Sequence, residues 1–461
     1  MTDLSAIILA AGKGTRMKSP LPKVLHPVAG KPLISYVIQA VRGLEAKEIR
    51  MVVGYGEKLL RQMVEPMGVT CAFQAEQKGT AHAVQCAEPQ SLKEENVLIC
   101  NGDHPLMGVT ALKAAYEEFV KSEADIAVVS ATLNDPGHFG RIVRHNGVLK
   151  AIVEVKDASA TALQIKEVNT GIYFAKRDAL EKYLEQVTPQ NQQNEFYLTD
   201  LISIGIEDGA RVVAIPGDPT LSFGVNNQRE LALASKALFR EKAFQLMDNG
   251  VVILDPENVY IEAEVQVGEG TMIYPGCVLR GPSQIGRFCV LEPNVFINDC
   301  KIGESTQIKG GSYLETTTVG TQAQIGPYAR LRPQTVIGDE AKVGNFVEMK
   351  KVNFGKGAKA GHLTYLGDAD IGEGTNIGCG TITCNYAADR KKYRTTIGKD
   401  VFVGSDSQFV APVEVGDGAI IASGSTITKN VPAEALAIAR GRQENKDGMA
   451  SRFKSKNQSE E

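Results

Sequence analysis

Two different periodicities run along the chain. From Ser5 to about Asn226, short apolar runs alternate with amphipathic stretches: Ala6 to Leu9, Pro32 to Val41, Ile49 to Val53, Leu59 to Val64, Val97 to Cys100 and Thr110 to Val120. That alternation predicts βα units on a mostly parallel sheet, with ligands gathering beyond the carboxyl ends of the strands. From Gln228 to Met247 the chain is rich in helix formers and free of Gly and Pro, and Asp248-Asn249-Gly250 supplies a stop, so a long connecting helix is expected. After Gly250 an Ile or Val followed by Gly recurs at 267/268, 285/286, 302/303, 319/320, 325/326, 337/338, 343/344, 371/372, 377/378, 397/398, 403/404 and 415/416. Many of these gaps are six residues or multiples of six, with one-residue slips at loops. That is the pattern of a parallel β-helix, whose short strands coil around a prism. The expected organisation is an α/β domain over 1–227, a linker helix over 228–250, a β-helix over 251–440 and a polar tail over 441–461, expected to be disordered.

Composition narrows this picture only at the margins. In 461 residues, 43% hydrophobic content is enough for full cores, and 50 Lys and Arg against 54 Asp and Glu give a net charge of -4. Nothing marks the whole chain as a nucleic-acid or membrane-surface binder, so any anion site is local. No secretory signal and no apolar run of about 20 residues is evident, so a cytoplasmic protein without stable membrane association is expected. The eight cysteines, at 71, 86, 100, 277, 289, 300, 379 and 384, contain no C-x-x-C pair and read as reduced, mostly buried small hydrophobes.

The first candidate chemistry lies at Leu9-Ala10-Ala11-Gly12-Lys13-Gly14-Thr15-Arg16-Met17, followed by Pro22-Lys23. A buried strand ending in Gly-x-Gly brings backbone N–H groups to one point, and Lys13, Arg16 and Lys23 add cations to the same side, which suits a phosphate. The loop is neither a G-x-G-x-x-G fingerprint nor a P-loop. A second strand, Val97 to Cys100, leads through Asn101-Gly102 to Asp103 at the same sheet edge. One Asp, one further side chain and a phosphate suffice for Mg²⁺, although an Asp before His104-Pro105 could instead cap a helix.

The opening loop resembles the signature of sugar-phosphate nucleotidyltransferases, which join a nucleoside triphosphate to a sugar 1-phosphate and release pyrophosphate. Gln74-Ala75-Glu76-Gln77-Lys78-Gly79-Thr80 resembles their uracil-reading segment, which points Gln74, Gly79 and Thr80 at uridine. Phe139-Gly140-Arg141-Ile142, Val153-Glu154, Val168-Asn169-Thr170-Gly171 and Gly224-Val225-Asn226-Asn227 are similar to pieces of the bacterial bifunctional N-acetylglucosamine-1-phosphate uridyltransferases. That resemblance implies that Leu9, Ala10, Ala11, Gly12, Lys23 and Asn101 bind nucleotide or sugar, that Gly140, Glu154 and Asn169 hold the amino sugar, and that Asp103 and Asn226 ligate Mg²⁺. Arg16 and Lys23 would then serve uridylyl transfer. Taken from the residues alone, Glu154 could be a solvated strand residue and Asn169 an Asx-turn before Gly171. Asn101 stands where these relatives often carry an aromatic, so a stacking contact with the sugar is missing.

The repeats resemble the left-handed β-helix of hexapeptide acyltransferases, a family of homotrimers with active sites between neighbouring prisms. Three stretches break the repeat with polar side chains: Tyr328 to Pro333, Asn345 to Lys351 and Gly361 to Asp368. They match the acetyltransferase half of the same bifunctional family. By that resemblance His362 is the general base, a task for which an imidazole is suited because its ordinary titration range lies near neutrality. Arg332, Lys350, Tyr365 and Asn376 would bind glucosamine 1-phosphate. Asn385 would help orient the sugar and steady His362. Cys379, Asn385, Tyr386, Ser405, Ser423 and Arg440 would line the acetyl-CoA path, with Ser405 facing the developing oxyanion. Cys379 and Ser423 replace an Ala common in relatives. Together the matches imply synthesis of UDP-N-acetylglucosamine from glucosamine 1-phosphate, acetyl-CoA and UTP through N-acetylglucosamine 1-phosphate. The competing reading is a single-function nucleotidyltransferase whose β-helix only oligomerises.

Overall fold

The computed structural model describes residues 3–454, and the chain divides into two compact units, Met1–Phe239 and Arg240–Glu461. In the first unit the run Ala6 to Leu9 is the heart of the strand Leu4–Ala10, the centre of a mixed, mostly parallel sheet. The order across this sheet is Val212–Pro216, Ile126–Thr132, Glu167–Lys176, Asn96–Asn101, Leu4–Ala10, Glu48–Val53, Thr70–Phe73. Only Glu167–Lys176 runs against its neighbours, and an antiparallel hairpin, Arg141–His145 with Val148–Val153, hangs from it. Register aligns the carboxyl ends: Ala10 pairs with Val53, Leu9 with Asn101 and Val53 with Phe73.

Alternate side chains cover the two faces, because a strand sends successive residues to opposite sides. Ala6, Ile8, Met51, Leu98, Cys100 and Phe174 pack on Ile34, Val37, Ile38 and Val41 of the helix Leu33–Gly43 and on Leu112, Ala115 and Phe119 of Val109–Ser122. Ile7, Val52, Val97, Ile99 and Tyr173 face the helices Thr80–Cys86, Arg177–Leu184 and Asp200–Glu207. The next helix after Asp103 starts only at Val109, with Gly108 as its N-cap, so Asp103 caps nothing.

The connecting helix spans Gln228–Asp248. Its start is a capping box: Asn227 Oδ1 accepts from the Arg229 and Glu230 amides at 2.9 and 3.0 Å, while Glu230 reaches back to the Asn226 amide at 2.6 Å. This box fixes the backbone that carries Asn226. Gly250, at φ +85°, ends the helix, its amide donating to Met247 at 3.0 Å. Ala234 and Leu238 pack in the first unit on Met17, Val28 and Leu33, whereas Ala243 and Leu246 join the core of the second.

The second unit is a parallel β-helix in which most short strands pair with the strand three places later, so three strands make one coil. The Ile and Val of the repeats point inward. Ile285, Ile302, Val319, Ile337, Ile371, Ile397 and Val415 are buried, with only Val267 partly open at the first coil. The following glycines, from Gly268 through Gly286, Gly303, Gly320, Gly338, Gly355, Gly372 and Gly398 to Gly416, stack at one corner. A Cβ on any of them would lie under 3.0 Å from the next coil. Buried hydroxyls staple successive coils; Thr375, for example, donates to the Gly398 carbonyl at 2.7 Å and accepts from the Val401 amide at 3.1 Å. Phe409 is among the largest fully buried side chains of the prism. A Phe409→Ala chain is therefore expected to lose about 3–5 kcal/mol of stability, read as a lower urea midpoint for the far-UV signal.

Where the repeat rule breaks, the turns vanish. Lys342–Phe354 and Lys359–Ile371 are continuous strands of 13 residues each, paired from end to end. One coil later the chain leaves the prism between Cys384 and Thr395 and then returns to the ladder. Two expectations need correction. The tail is not wholly irregular: Met449–Lys454 is a short helix, since Gly448 permits a turn and helix formers follow. Residues 455–461 lie outside the described residues. Among the cysteines, all are free, but only 100, 277, 289 and 300 are buried; 71, 86, 379 and 384 are half-buried.

Candidate active sites

In the first unit, the loops after the aligned strand ends enclose a cavity of about 280 Å³. Leu9, Ala10, Ala11, Gly12, Lys23, Gln74, Gly79, Thr80, Asn101 and Asp103 all line it. Gln74 is buried, and its backbone amide extends the ladder by donating to the Val53 carbonyl. Gly79 sits at φ +120°, where a Cβ would strike the Phe196 backbone, so the loop can close over the helix start only with glycine there. Thr80 Oγ1 accepts from the Leu198 amide at 2.9 Å and pins that segment down.

At the mouth of this cavity the Lys23 ammonium is ion-paired with Asp103 Oδ2 and lies 3.2 Å from Asn226 Oδ1, which also accepts from Arg16 at 2.9 Å. Four of the residues singled out from the sequence thus meet, although Asn226 is more than 200 positions from Arg16 and Lys23. Burial would raise the Asp103 carboxyl, but the charges of Lys23 and His104 and hydrogen bonds outweigh it and hold Asp103 below the usual carboxylate range.

A second cluster gathers Gly140, Glu154 and Asn169. The Asn169 amide donates to the Gly140 carbonyl at 2.9 Å, and the Glu154 carboxylate lies against Gly140. Glu154 is not a solvated strand residue: burial pushes its carboxyl up, and Asp157 and Asp200 push the same way. Asn169 makes the Asx-turn, accepting from the Gly171 amide at 2.8 Å, and its amide donates to the Tyr173 hydroxyl at 2.7 Å. Asn101 fills the space over Gly171, where a Cβ would collide with its amide. Sequence reasoning missed Gln77 and Glu195, which also line the cavity. Gln77 lay inside the uracil-reading stretch and binds the Ala11 carbonyl at 3.2 Å.

In the second unit, register places Asn345 beside His362, and His362 Nδ1 lies 2.7 Å from Asn345 Oδ1. An amide oxygen only accepts, so Nδ1 carries the proton and Nε2 keeps its lone pair, the form a general base requires. This corrects the expectation that Asn385 steadies His362. Asn385 instead donates to Asp368, one coil back, because the departing loop turns its side chain that way. Asn345 was missed although its stretch was noted; its distance of one coil from His362 was the available signal.

Arg332 forms an ion pair with Glu348 at 2.8 Å. Lys350 is held below the usual lysine range, chiefly by the charge of Lys392, then that of Arg332. Cations crowded in this way favour an anion between them. The Tyr365 hydroxyl and the Asn385 amide both crowd Gly367, the register partner of Lys350. Asn376 is not with them: it is paired between Lys359 and Phe402, on another face of the prism.

The remaining candidates form a column at the corner that carries His362. The Gly380 amide donates to Leu363, Asp406 to Cys379 and Gly424 to Ser405, and Arg440 donates to the Ser423 carbonyl at 2.9 Å. Cys379, Ser405, Ser423 and Arg440 therefore succeed one another coil by coil, forming a track that begins beside His362. Tyr386 lies in the departing loop and is exposed.

A cavity at the carboxyl edge of an α/β sheet, joined in one chain to a hexapeptide β-helix that carries an oriented imidazole, defines the class: a nucleotidyltransferase fused to a hexapeptide acyltransferase. Comparison with known proteins carries this further. Residues 6–167 match the MobA-like NTP transferase domain, 256–354 the GMPPB C-terminal domain and 394–429 the bacterial transferase hexapeptide (six repeats). The chain is 59% identical to the bifunctional protein GlmU of Bdellovibrio bacteriovorus, over 95% of this chain and 96% of that one. It is 46% identical to that of Pelobacter propionicus (99% and 100%) and 47% to that of Trichlorobacter lovleyi (97% and 98%). The chain belongs to the bifunctional GlmU family, with the left-handed β-helix of its hexapeptide half. It is an enzyme of UDP-N-acetylglucosamine synthesis, combining acetyl transfer to glucosamine 1-phosphate with uridylyl transfer to the product, and nucleotide and acyl-CoA are its substrates.

Proposed function

We propose that the two reactions are divided between the two centres as follows. In the β-helix, the glucosamine 1-phosphate dianion rests among Arg332, Lys350 and Lys392, with Tyr365 and Asn385 orienting the sugar. His362 Nε2 takes a proton from the amine as its nitrogen attacks the acetyl-CoA carbonyl, and Ser405 faces the oxygen that becomes negative. The thiolate leaves along the track of Cys379, Ser405, Ser423 and Arg440, beside Tyr386. The observation that carries this reading is the Asn345–His362 hydrogen bond, which leaves Nε2 free to accept.

In the α/β unit, Gln74, Gly79 and Thr80 hold the uracil and the loop Leu9 to Gly12 cradles the phosphates. Gly140, Glu154 and Asn169 hold the amino sugar. The phosphate oxygen of N-acetylglucosamine 1-phosphate attacks the α-phosphorus of UTP in line, and pyrophosphate leaves past Arg16 and Lys23. Mg²⁺ fits this centre on its donor chemistry: Asp103 Oδ2 and Asn226 Oδ1 are both hard oxygens, and both already contact one cation, the Lys23 ammonium. Bound by them, Mg²⁺ would neutralise charge on the phosphates.

The same reading assigns 1–227 to uridylyl transfer, 228–250 to the linker helix, 251–440 to acetyl transfer and 441–461 to a polar tail. Hexapeptide domains oligomerise, and a homotrimer is supported by Asn376, which can join a sugar site only from a neighbouring prism. UTP and acetyl-CoA as substrates favour the cytoplasm. Among the described residues no helix is long and apolar enough to cross a membrane.

The test is stepwise. Glucosamine 1-phosphate and acetyl-CoA, without UTP, should release free CoA thiol in the presence of EDTA. Pyrophosphate should appear only after UTP and Mg²⁺ are added. Thiol release that fails without UTP, or pyrophosphate release unaffected by EDTA, would sink this division of labour.

A further inference from the structure

Gln74 does not hold its orientation alone. Its Nε2 lies 3.2 Å from the Gly79 carbonyl and 2.9 Å from His82 Nδ1, and the residue is buried. The Gly79 carbonyl can only accept, so it fixes which end of the Gln74 amide carries the NH₂ group. The second hydrogen of that group then needs an acceptor, and His82 Nδ1 is in place. His82 must therefore carry its proton on Nε2, which faces the Cys86 sulfur at 3.8 Å. Cys86 lies one turn further along the same helix, Thr80–Cys86, and the His82 ring is tilted against Phe196 with centroids 6.4 Å apart.

With both amide hydrogens consumed inside the protein, Gln74 has only Oε1 left for a base. An acceptor suits uracil, whose N3 is a donor; cytosine presents a lone pair at the same atom. We propose that His82 is a specificity-positioning residue: lining no part of the cavity itself, it locks the Gln74 amide so that the pocket accepts a hydrogen bond from the pyrimidine and rejects cytosine. This inference rests on the reading of Gln74 as the residue that meets the base.

The test compares nucleotide preference, taken as the inhibition constant of CTP divided by the KM for UTP, in the full-length enzyme. His82→Leu removes the acceptor and is expected to lower that preference by about tenfold, because the released amide can rotate and offer its NH₂ group to cytosine. His82→Asn places an amide oxygen where Nδ1 stood and is expected to restore it to within about twofold. Uridylyl turnover at saturating UTP, in the unit that carries the substitution, reports whether each variant is folded. A His82→Leu enzyme whose preference is unchanged, or whose affinities for UTP and CTP fall together, overturns the proposal. Gln74→Leu separates the two layers: if it alters the preference and His82→Leu does not, only the role of His82 is lost. If neither alters it, the reading of Gln74 is lost as well.

Discussion

His362→Ala is expected to slow acetyl transfer to glucosamine 1-phosphate by about 10²–10⁴-fold, with uridylyl transfer from supplied N-acetylglucosamine 1-phosphate unchanged. The magnitude follows from what is removed. The amine must lose a proton as the C–N bond forms, and without Nε2 only water is left to take it. Because Asn345 Oδ1 holds the proton on Nδ1, Asn345→Ala should produce a smaller loss, about tenfold to a hundredfold, by letting the ring adopt the wrong tautomer or rotate away. Thiol release from acetyl-CoA measures both. The reading fails if His362→Ala retains full acetyl transfer, or if Asn345→Ala is as damaged as the histidine variant. The urea midpoint of the β-helix is the folding control for both chains, since the uridylyl reaction runs in the other unit.

Asp103→Asn is expected to do the reverse, lowering uridylyl transfer by about 10³-fold and sparing acetyl transfer. Asparagine keeps the shape and one oxygen but removes the charge, and the pair with Lys23 is lost with it. Stabilisation of phosphate charge by a metal is worth several kcal/mol, and each tenfold in rate corresponds to about 1.4 kcal/mol. The ordinary state of Asp103 sharpens the expectation: Lys23 and His104 keep it ionised against the cost of burial, so the variant removes a full charge at neutral pH. Pyrophosphate release at a series of Mg²⁺ concentrations checks it. A variant that recovers wild-type rate at high Mg²⁺ would limit Asp103 to affinity, and one that is active without Mg²⁺ would remove it from the metal site.

Both centres could be read in the sequence to different depths, for different physical reasons. The loop Leu9 to Met17 and the strand ending at Asp103 were visible because buried strands leave continuous apolar runs and parallel register brings their ends to one edge. The repeats were visible because an inward Ile or Val must recur once per prism face. Hidden were contacts that depend on register between distant segments. The hairpin Arg141–Val153 carries too little apolar contrast to announce itself. The partner of His362 requires knowing the coil length at that point, and slips of one residue blur it; hence the sequence points to Asn385 where Asn345 stands. Asn376 shows the same limit, since its neighbours along the chain do not say which prism face it occupies.

The corner glycines have a consequence for descent as well as for stability. Each sits where the next coil leaves no room for a methyl group, so in a library of all single substitutions intolerance should fall along a stripe that recurs once per coil. The stripe should lose step once, between Gly372 and Gly398, where the chain departs from the prism and returns. The excursion can change length without breaking the stack, because the ladder resumes in phase on either side of it, although the roles proposed for Asn385, Tyr386 and Lys392 constrain its course. What the stripe reports is the pitch of the coil.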